Sequence, residues 1–156
     1  MNLTAVEDMD EAVRLHYCES LFVGRSLPSG RLRIADIGSG AGFPGFPVAV
    51  LRPECHVDLI ESNRRRAVFL REASQGLENV RVLAQRAESL HDRYDWIISR
   101  AVTPSEVLAL QIAPRAAILM SQRQVGLDSI KVDAVPWEKE HVLATFHVKQ
   151  STDGRT

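Results

Sequence analysis

From Arg31 onward, short apolar runs alternate with amphipathic stretches. Leu32–Ile37, Val57–Ile60, Val80–Leu83, Tyr94–Ser99 and Ala116–Met120 read as strands. Phe46–Leu51, Asn63–Gln75 and Ser105–Gln111 read as helices between them. Ala67, Phe69, Leu70 and Ala73 mark the inner side of the second helix, Ser62 or Asn63 can cap it, and Gly76 suits its end. Ser105, after Pro104, is the expected cap of the third. His141–Val148 reads as a last strand, paired with Ile130–Val135. Before this block, Leu3 to about Val23 reads as a helix with a stripe of Val13, Leu15, Leu21 and Phe22, capped by Asp8 or Asp10 and broken at Leu27-Pro-Ser-Gly30.

Continuous apolar strands separated by helices predict an α/β fold: a mostly parallel sheet with helices on both faces and a C-terminal antiparallel hairpin. The expected organisation is one structural domain, with an N-terminal helical segment over 1–30, a Rossmann-like body over 31–150 and a frayed polar tail over 151–156. On such sheets ligands bind beyond the carboxyl ends of the strands, near the point where strand order reverses. Residues just after each strand are therefore the candidates for function.

The segment Ile34-Ala-Asp-Ile-Gly-Ser-Gly-Ala-Gly-Phe-Pro-Gly45 holds four of the nine glycines. One glycine makes a turn; four between a strand and a helix let the backbone approach a ligand. Gly40-x-Gly42-x-x-Gly45 matches the dinucleotide fingerprint formally, but the strand ends before Gly38, so its register is poor. An NAD-binding reading also needs a second domain, for which no length remains. The frame Asp36-x-Gly38-x-Gly40-x-Gly42 instead resembles motif I of the class I S-adenosylmethionine-dependent methyltransferases. There an acidic residue suits a ligand carrying a sulfonium and an ammonium. Glu61, which lies 19 residues after Gly42 at the end of the second strand, is placed to accept from ribose hydroxyls.

The chain has 156 residues, 45% of them hydrophobic, enough for a core without disulfide or metal staples. Its 19 basic and 20 acidic residues exclude a polybasic tail but leave a local basic patch open. No apolar run reaches the roughly 18 residues of a membrane helix. The start carries Glu7, Asp8, Asp10 and Glu11 and no apolar h-region, unlike a secretory signal. Cys18 and Cys55 form neither a disulfide framework nor a zinc spacing, so two buried, reduced thiols are expected.

Several further motifs fall in order: Asn2-Leu-Thr-Ala-Val6, His16-x-x-Glu19-Ser-Leu21, the loop through Gly-Phe-Pro-Gly45, Glu61-Ser-Asn63 with Arg64–Arg66, Phe69-Leu-Arg-Glu72, Glu78-Asn-Val80, Arg86-Ala-Glu88 and Ser99-Arg-Ala101. Together they resemble the bacterial 16S ribosomal RNA guanine-N7 methyltransferase family, RsmG or GidB, over about two-thirds of the chain. The resemblance implies a class I methyltransferase fold and S-adenosylmethionine as cofactor. It implies cofactor contacts at Gly38, Phe43, Ala87, Glu88 and Arg100, beside Asp36, Gly40 and Glu61 from the motif reading.

The implied reaction is transfer of a methyl group to a guanine N7 in small-subunit ribosomal RNA. That atom has a lone pair and no proton, so no catalytic acid or base is named, and alignment and desolvation are the protein's work. The A-form major groove is too deep and narrow for protein, so the target base is unstacked. Arg64, Arg65, Arg66 and Arg123 are the expected RNA clamps. The expected partner is 16S ribosomal RNA or the small subunit, met by a cytoplasmic monomer that needs neither membrane nor metal. After Pro104 the chain departs from the family: Gln122-Arg-Gln124 stands where a Leu-Lys-Gly strand end is usual. A shortened paralogue that binds the cofactor but methylates another acceptor, or none, is the alternative.

Overall fold

A computed structural model describes residues 8–100, 102–126 and 128–150. The Asn2–Val6 signature, Ala101 of the Ser-Arg-Ala element and the 151–156 tail lie outside the described residues. Among the described residues seven strands form one sheet: β1 Arg33–Ile37, β2 His56–Ile60, β3 Val80–Leu83, β4 Trp96–Ser99, β5 Arg115–Ser121, β6 Ser129–Ala134 and β7 His141–His147. Their order is β3-β2-β1-β4-β5-β7-β6. The first five are parallel, and β7 joins β5 and β6 antiparallel. Strand order reverses between β1 and β4, which opens the crevice expected in such a sheet.

Period-two alternation sends neighbouring residues into two cores. Ala35, Ile37, Ile97, Ala116 and Ile118 face one side with Val107. Ile34, Val57, Leu59, Ile98, Ala117 and Leu119 face the other with Val23, Val48 and Leu70. Helix α3, Gly45–Leu51, and helix α4, Arg64–Ala73, cover the second side, and α5, Pro104–Ala109, covers the first. Asn63 caps α4 by accepting from the Arg65 and Arg66 N–H groups. Thr103 and Glu106 form the capping box of α5, so Ser105 is inside the helix rather than its cap. A Ser105 cap fails because Pro104 already has helical geometry at the first position, which moves the cap one residue earlier than Pro104.

The N-terminal helix is built of α1 Met9–Ala12, a π-helical stretch Val13–Cys18 and α2 Glu19–Ser26. Asp8 caps it. Its buried face differs from the expected stripe. Val13 and Leu21 are exposed, while His16, Glu19, Ser20 and Val23 are buried. The π stretch shifts the phase of the helix, and polar partners elsewhere in the fold meet the face that turns inward. Arg52 ties down the end of this helix and the turn after it by donating to the carbonyls of Gly24, Pro28 and Gly30. Cys55 is buried as expected, but Cys18 is only half-buried, because it lies beside that inward face rather than on it. Among the described residues no helix is long and apolar enough to cross a membrane.

Candidate functional site

The loop after β1 folds back over the sheet. Gly38 and Ser39 donate through their N–H groups to the Ile60 carbonyl at 3.0 and 3.1 Å, which pins the loop to the end of β2. Gly38 has φ +70°, and a Cβ there would lie 2.8 Å from Val102 Cγ2. Gly42 and Gly45 are glycine for packing: added Cβ atoms would meet the Phe46 ring at 2.0 Å and Leu59 Cδ2 at 2.2 Å. Gly40 donates to Glu61 Oε2 at 2.9 Å.

Asp36 lies beneath this loop, fully buried, rather than in the wall of the crevice. Its Oδ2 accepts from the Gly45 N–H at 3.0 Å, and its Oδ1 has no partner among the described residues. Burial pushes its carboxyl up to about 7, against the pull of its hydrogen bonds and of Arg100.

Past the loop is a crevice of about 150 Å³ at the ends of β1 and β2, lined by Gly38, Glu61, Gln85, Ala87, Glu88 and Val102 among others. Glu61 is buried, and besides Gly40 its carboxylate accepts from the Asn63 N–H at 2.8 Å. Ala87–Ser89 is one turn of 3-10 helix that brings Ala87 and Glu88 to the rim. The Glu88 side chain is exposed and lies 3.7 Å from Arg86.

Phe43 and Arg100 belong to the neighbouring part of the same sheet edge. The Phe43 ring stacks on His16 at 5.1 Å, meets Tyr17 edge-on at 5.0 Å, and has the Arg100 guanidinium 5.8 Å from its centre. Arg100 Nη1 donates to the Leu15 carbonyl at 2.9 Å and to His16 Nδ1 at 2.5 Å. A second cavity, of about 350 Å³, opens here at the ends of β4 and β5. His16, Glu19, Arg100, Ser121, Gln124 and His141 bring polar groups to it. Glu19 Oε1 lies 2.8 Å from His141 Nδ1. Burial raises the Glu19 carboxyl above its usual range, partly offset by His141. Burial, then Arg100, lowers the His16 imidazole.

The site thus has two halves. The structure brings Gly38, Glu61, Ala87 and Glu88 together, with Gly40 behind them, and places Phe43 and Arg100 at the border of the second half. Arg64, Arg65 and Arg66 are exposed at the start of α4, after β2, and Arg123 is exposed after β5. They follow strands on opposite sides of the β1–β4 reversal. In the sequence His16 stands out only within a motif, and no motif there marks a role for Glu19, Gln124 or His141. The i, i+3 spacing of His16 and Glu19 was the available signal, since it puts both on one helical face.

A family model described as "rRNA small subunit methyltransferase G" (GidB) matches residues 1–148. Ribosomal RNA small subunit methyltransferase G of Nitrosospira multiformis is 49% identical over 105 residues, covering 64% of this chain and 47% of that protein. Its counterpart in Roseiflexus is 39% identical over 122 residues, covering 73% of this chain and 52% of that protein. The chain therefore spans about half the length of these curated relatives. Among solved structures, a SAM-dependent methyltransferase from Aquifex aeolicus superposes with a TM-score of 0.67 at 18% identity, covering 92% of this chain and 96% of that one. A putative RNA methyltransferase from Pyrococcus horikoshii gives 0.66 at 16% identity, covering 83% and 81%. These likenesses establish the class I methyltransferase fold.

Proposed function

The chain belongs to the rRNA small subunit methyltransferase G (GidB) family, and from that premise we propose that it methylates N7 of a guanine in 16S ribosomal RNA with S-adenosylmethionine as donor. The observation that carries the reading is the crevice at the ends of β1 and β2, beside the strand-order reversal, which bare backbone at Gly38 and the buried Glu61 line together. The residues fit the donor. A side chain at Gly38 would run into Val102, which lines the same crevice, so the space next to the loop is kept open by the lack of a Cβ.

In this reading Glu61 accepts from the ribose hydroxyls, using lone pairs left after its bonds to Gly40 and Asn63. Ala87 and Glu88 border the adenine, and Arg100 pairs with the donor's carboxylate through the guanidinium nitrogens other than Nη1. When bound, S-adenosylmethionine supplies a methyl group activated by a sulfonium. Guanine N7 needs no proton removed, so the chain provides no general base. Its residues align the acceptor and exclude water; alignment of this kind contributes on the order of 7–11 kcal/mol in favourable systems.

Arg64–Arg66 on one side and Arg123 on the other hold the RNA backbone across the crevice by charge. An unstacked guanine in small-subunit RNA is the acceptor, and a cytoplasmic setting goes with it. The test is methyl incorporation into bacterial small-subunit particles with the modified atom mapped. The expected product is N7-methylguanine. Tight donor binding with no label in ribosomal RNA would overturn the assignment.

A further inference from the structure

We propose that the second cavity, at the ends of β4 and β5, takes the guanine base itself, and that His16 and Glu19 read its 6-oxo and N1–H edge. This rests on the reading above that the acceptor is a guanine; it adds which residues choose the base.

The chemistry begins with a constraint. A guanine whose N7 is to be alkylated cannot be recognised at N7. That excludes the commonest way proteins read guanine, an arginine donating to O6 and N7 together. The remaining marks are O6, an acceptor, and N1–H with the N2 amino group, which are donors. A pocket that selects this base needs one N–H aimed at O6 and a carboxylate facing N1–H and N2–H.

The cavity offers that pair. Arginine only donates, so the contact of Arg100 Nη1 with His16 Nδ1 makes Nδ1 the acceptor and leaves the imidazole proton on Nε2. His16 is 7% exposed, and its Nε2 is buried with no partner among the described residues. An orphaned buried donor costs about 1–3 kcal/mol and calls for an explanation. A ligand oxygen arriving in the adjoining cavity provides one. Glu19, one turn along on the same face, is 1% exposed. A carboxylate accepts at about four positions, and among the described residues His141 takes one of these.

Position fits as well. The donor crevice lies at the ends of β1 and β2, this cavity at the ends of β4 and β5, and Arg100 stands at the border between them. At about 350 Å³ the cavity is within the size range of small-molecule pockets. The Phe43 ring stacks on His16, a residue of the cavity lining. Adenine would present an amino group to His16 Nε2–H and a lone pair to the Glu19 carboxylate, so both contacts would repel.

The test titrates the full chain with four ribonucleoside monophosphates, followed by NMR of the backbone and imidazole signals. Guanosine monophosphate is expected to bind at least about tenfold tighter than adenosine monophosphate, the scale of one good base contact. Inosine monophosphate, which keeps O6 and N1–H, should stay within a few-fold of guanosine monophosphate. The 2-aminopurine ribonucleotide, which lacks both, should bind like adenosine monophosphate. Glu19→Gln should bring the guanine and adenine nucleotides within about threefold of each other while the S-adenosylmethionine affinity stays within about threefold of the parent. Equal binding of all four by the parent chain would overturn the proposal without any variant, as would a guanine preference that survives in a folded Glu19→Gln. Guanine preference in a chain that does not bind S-adenosylmethionine would overturn the proposed donor and leave the base pocket standing.

Discussion

Glu61 Oε2 accepts the Gly40 N–H at 2.9 Å, so the carboxylate that ends β2 holds the loop that follows β1. The same side chain braces the start of the next helix through the Asn63 N–H at 2.8 Å. A residue expected to touch ribose is therefore also a clamp on the wall of the crevice. Glu61→Ala removes both acceptors and the ligand contact together. Hydrogen bonds to charged groups are worth about 1.5–3 kcal/mol. The expected outcome is a loss of donor affinity of about ten- to a hundredfold, read by calorimetric titration with S-adenosylmethionine. Unchanged affinity would remove Glu61 from the site.

Gly38→Val tests the bare backbone. At φ +70° a β-branched residue is strained, and its Cβ starts 2.8 Å from Val102 Cγ2. The left-handed conformation alone costs about 1–2 kcal/mol. Donor binding should vanish and the melting temperature should fall. Pairing it with Val102→Ala should restore part of the stability and none of the binding, because relieving the clash does not reopen the crevice.

Gly45→Ala makes the contrasting case. Its Cβ would meet Leu59 Cδ2 at 2.2 Å and Asp36 Oδ2 at 2.5 Å, both in the interior. Overpacking of this kind costs about 1–3 kcal/mol. Urea unfolding should show a lower midpoint with an unchanged slope. A neutral result would mean that the loop can lift away from Asp36.

These two glycines also show what could be read in advance. The strand and helix alternation was legible because each central strand is buried on both faces, as in Ile34 to Ile37 and Ile97 to Ser99. The glycine loop was legible as a feature, but not its division of labour, since packing against Phe46 and Leu59 is a tertiary fact. The N-terminal helix and its Asp8 cap are legible in the sequence, but its inward face is not, for a physical reason. Its inward face carries His16 and Glu19, whose partners Arg100 and His141 lie 84 and 122 positions away. Polarity in a single sequence points such residues outward, and only the fold supplies their partners. Asp36 was visible as an acidic strand end, yet its burial beneath Gly45 follows from the turn of the loop.

Arg100→Ala tests how the two halves of the site are joined. Arg100 donates to the Leu15 carbonyl and to His16, so its loss unpins the helix that walls the second cavity. Transfer to RNA should fall by more than donor affinity does. Amide exchange should quicken in Val13–Cys18 and remain slow in the central strands. A uniform rise in exchange across the sheet would instead make Arg100 a general support of the fold.

Asp36 makes stability depend on pH in a way opposite to most carboxylates. Its carboxyl is pushed up to about 7 by burial, from an ordinary 3.8. Between those values the folded chain holds a proton that the unfolded chain releases, so the linkage slope is negative. The contribution is fully present below the ordinary value and is lost as pH rises through the folded one. Asp36→Asn removes this titration while keeping the shape and an oxygen for the Gly45 N–H. Urea midpoints measured from pH 4 to pH 7.5, relative to the parent, isolate Asp36 from His16 and Glu19, which titrate in both proteins. The stability difference between parent and variant should shift against the parent as pH rises across that window. A difference that is flat with pH would mean that the Asp36 carboxyl stays ionised beneath the loop.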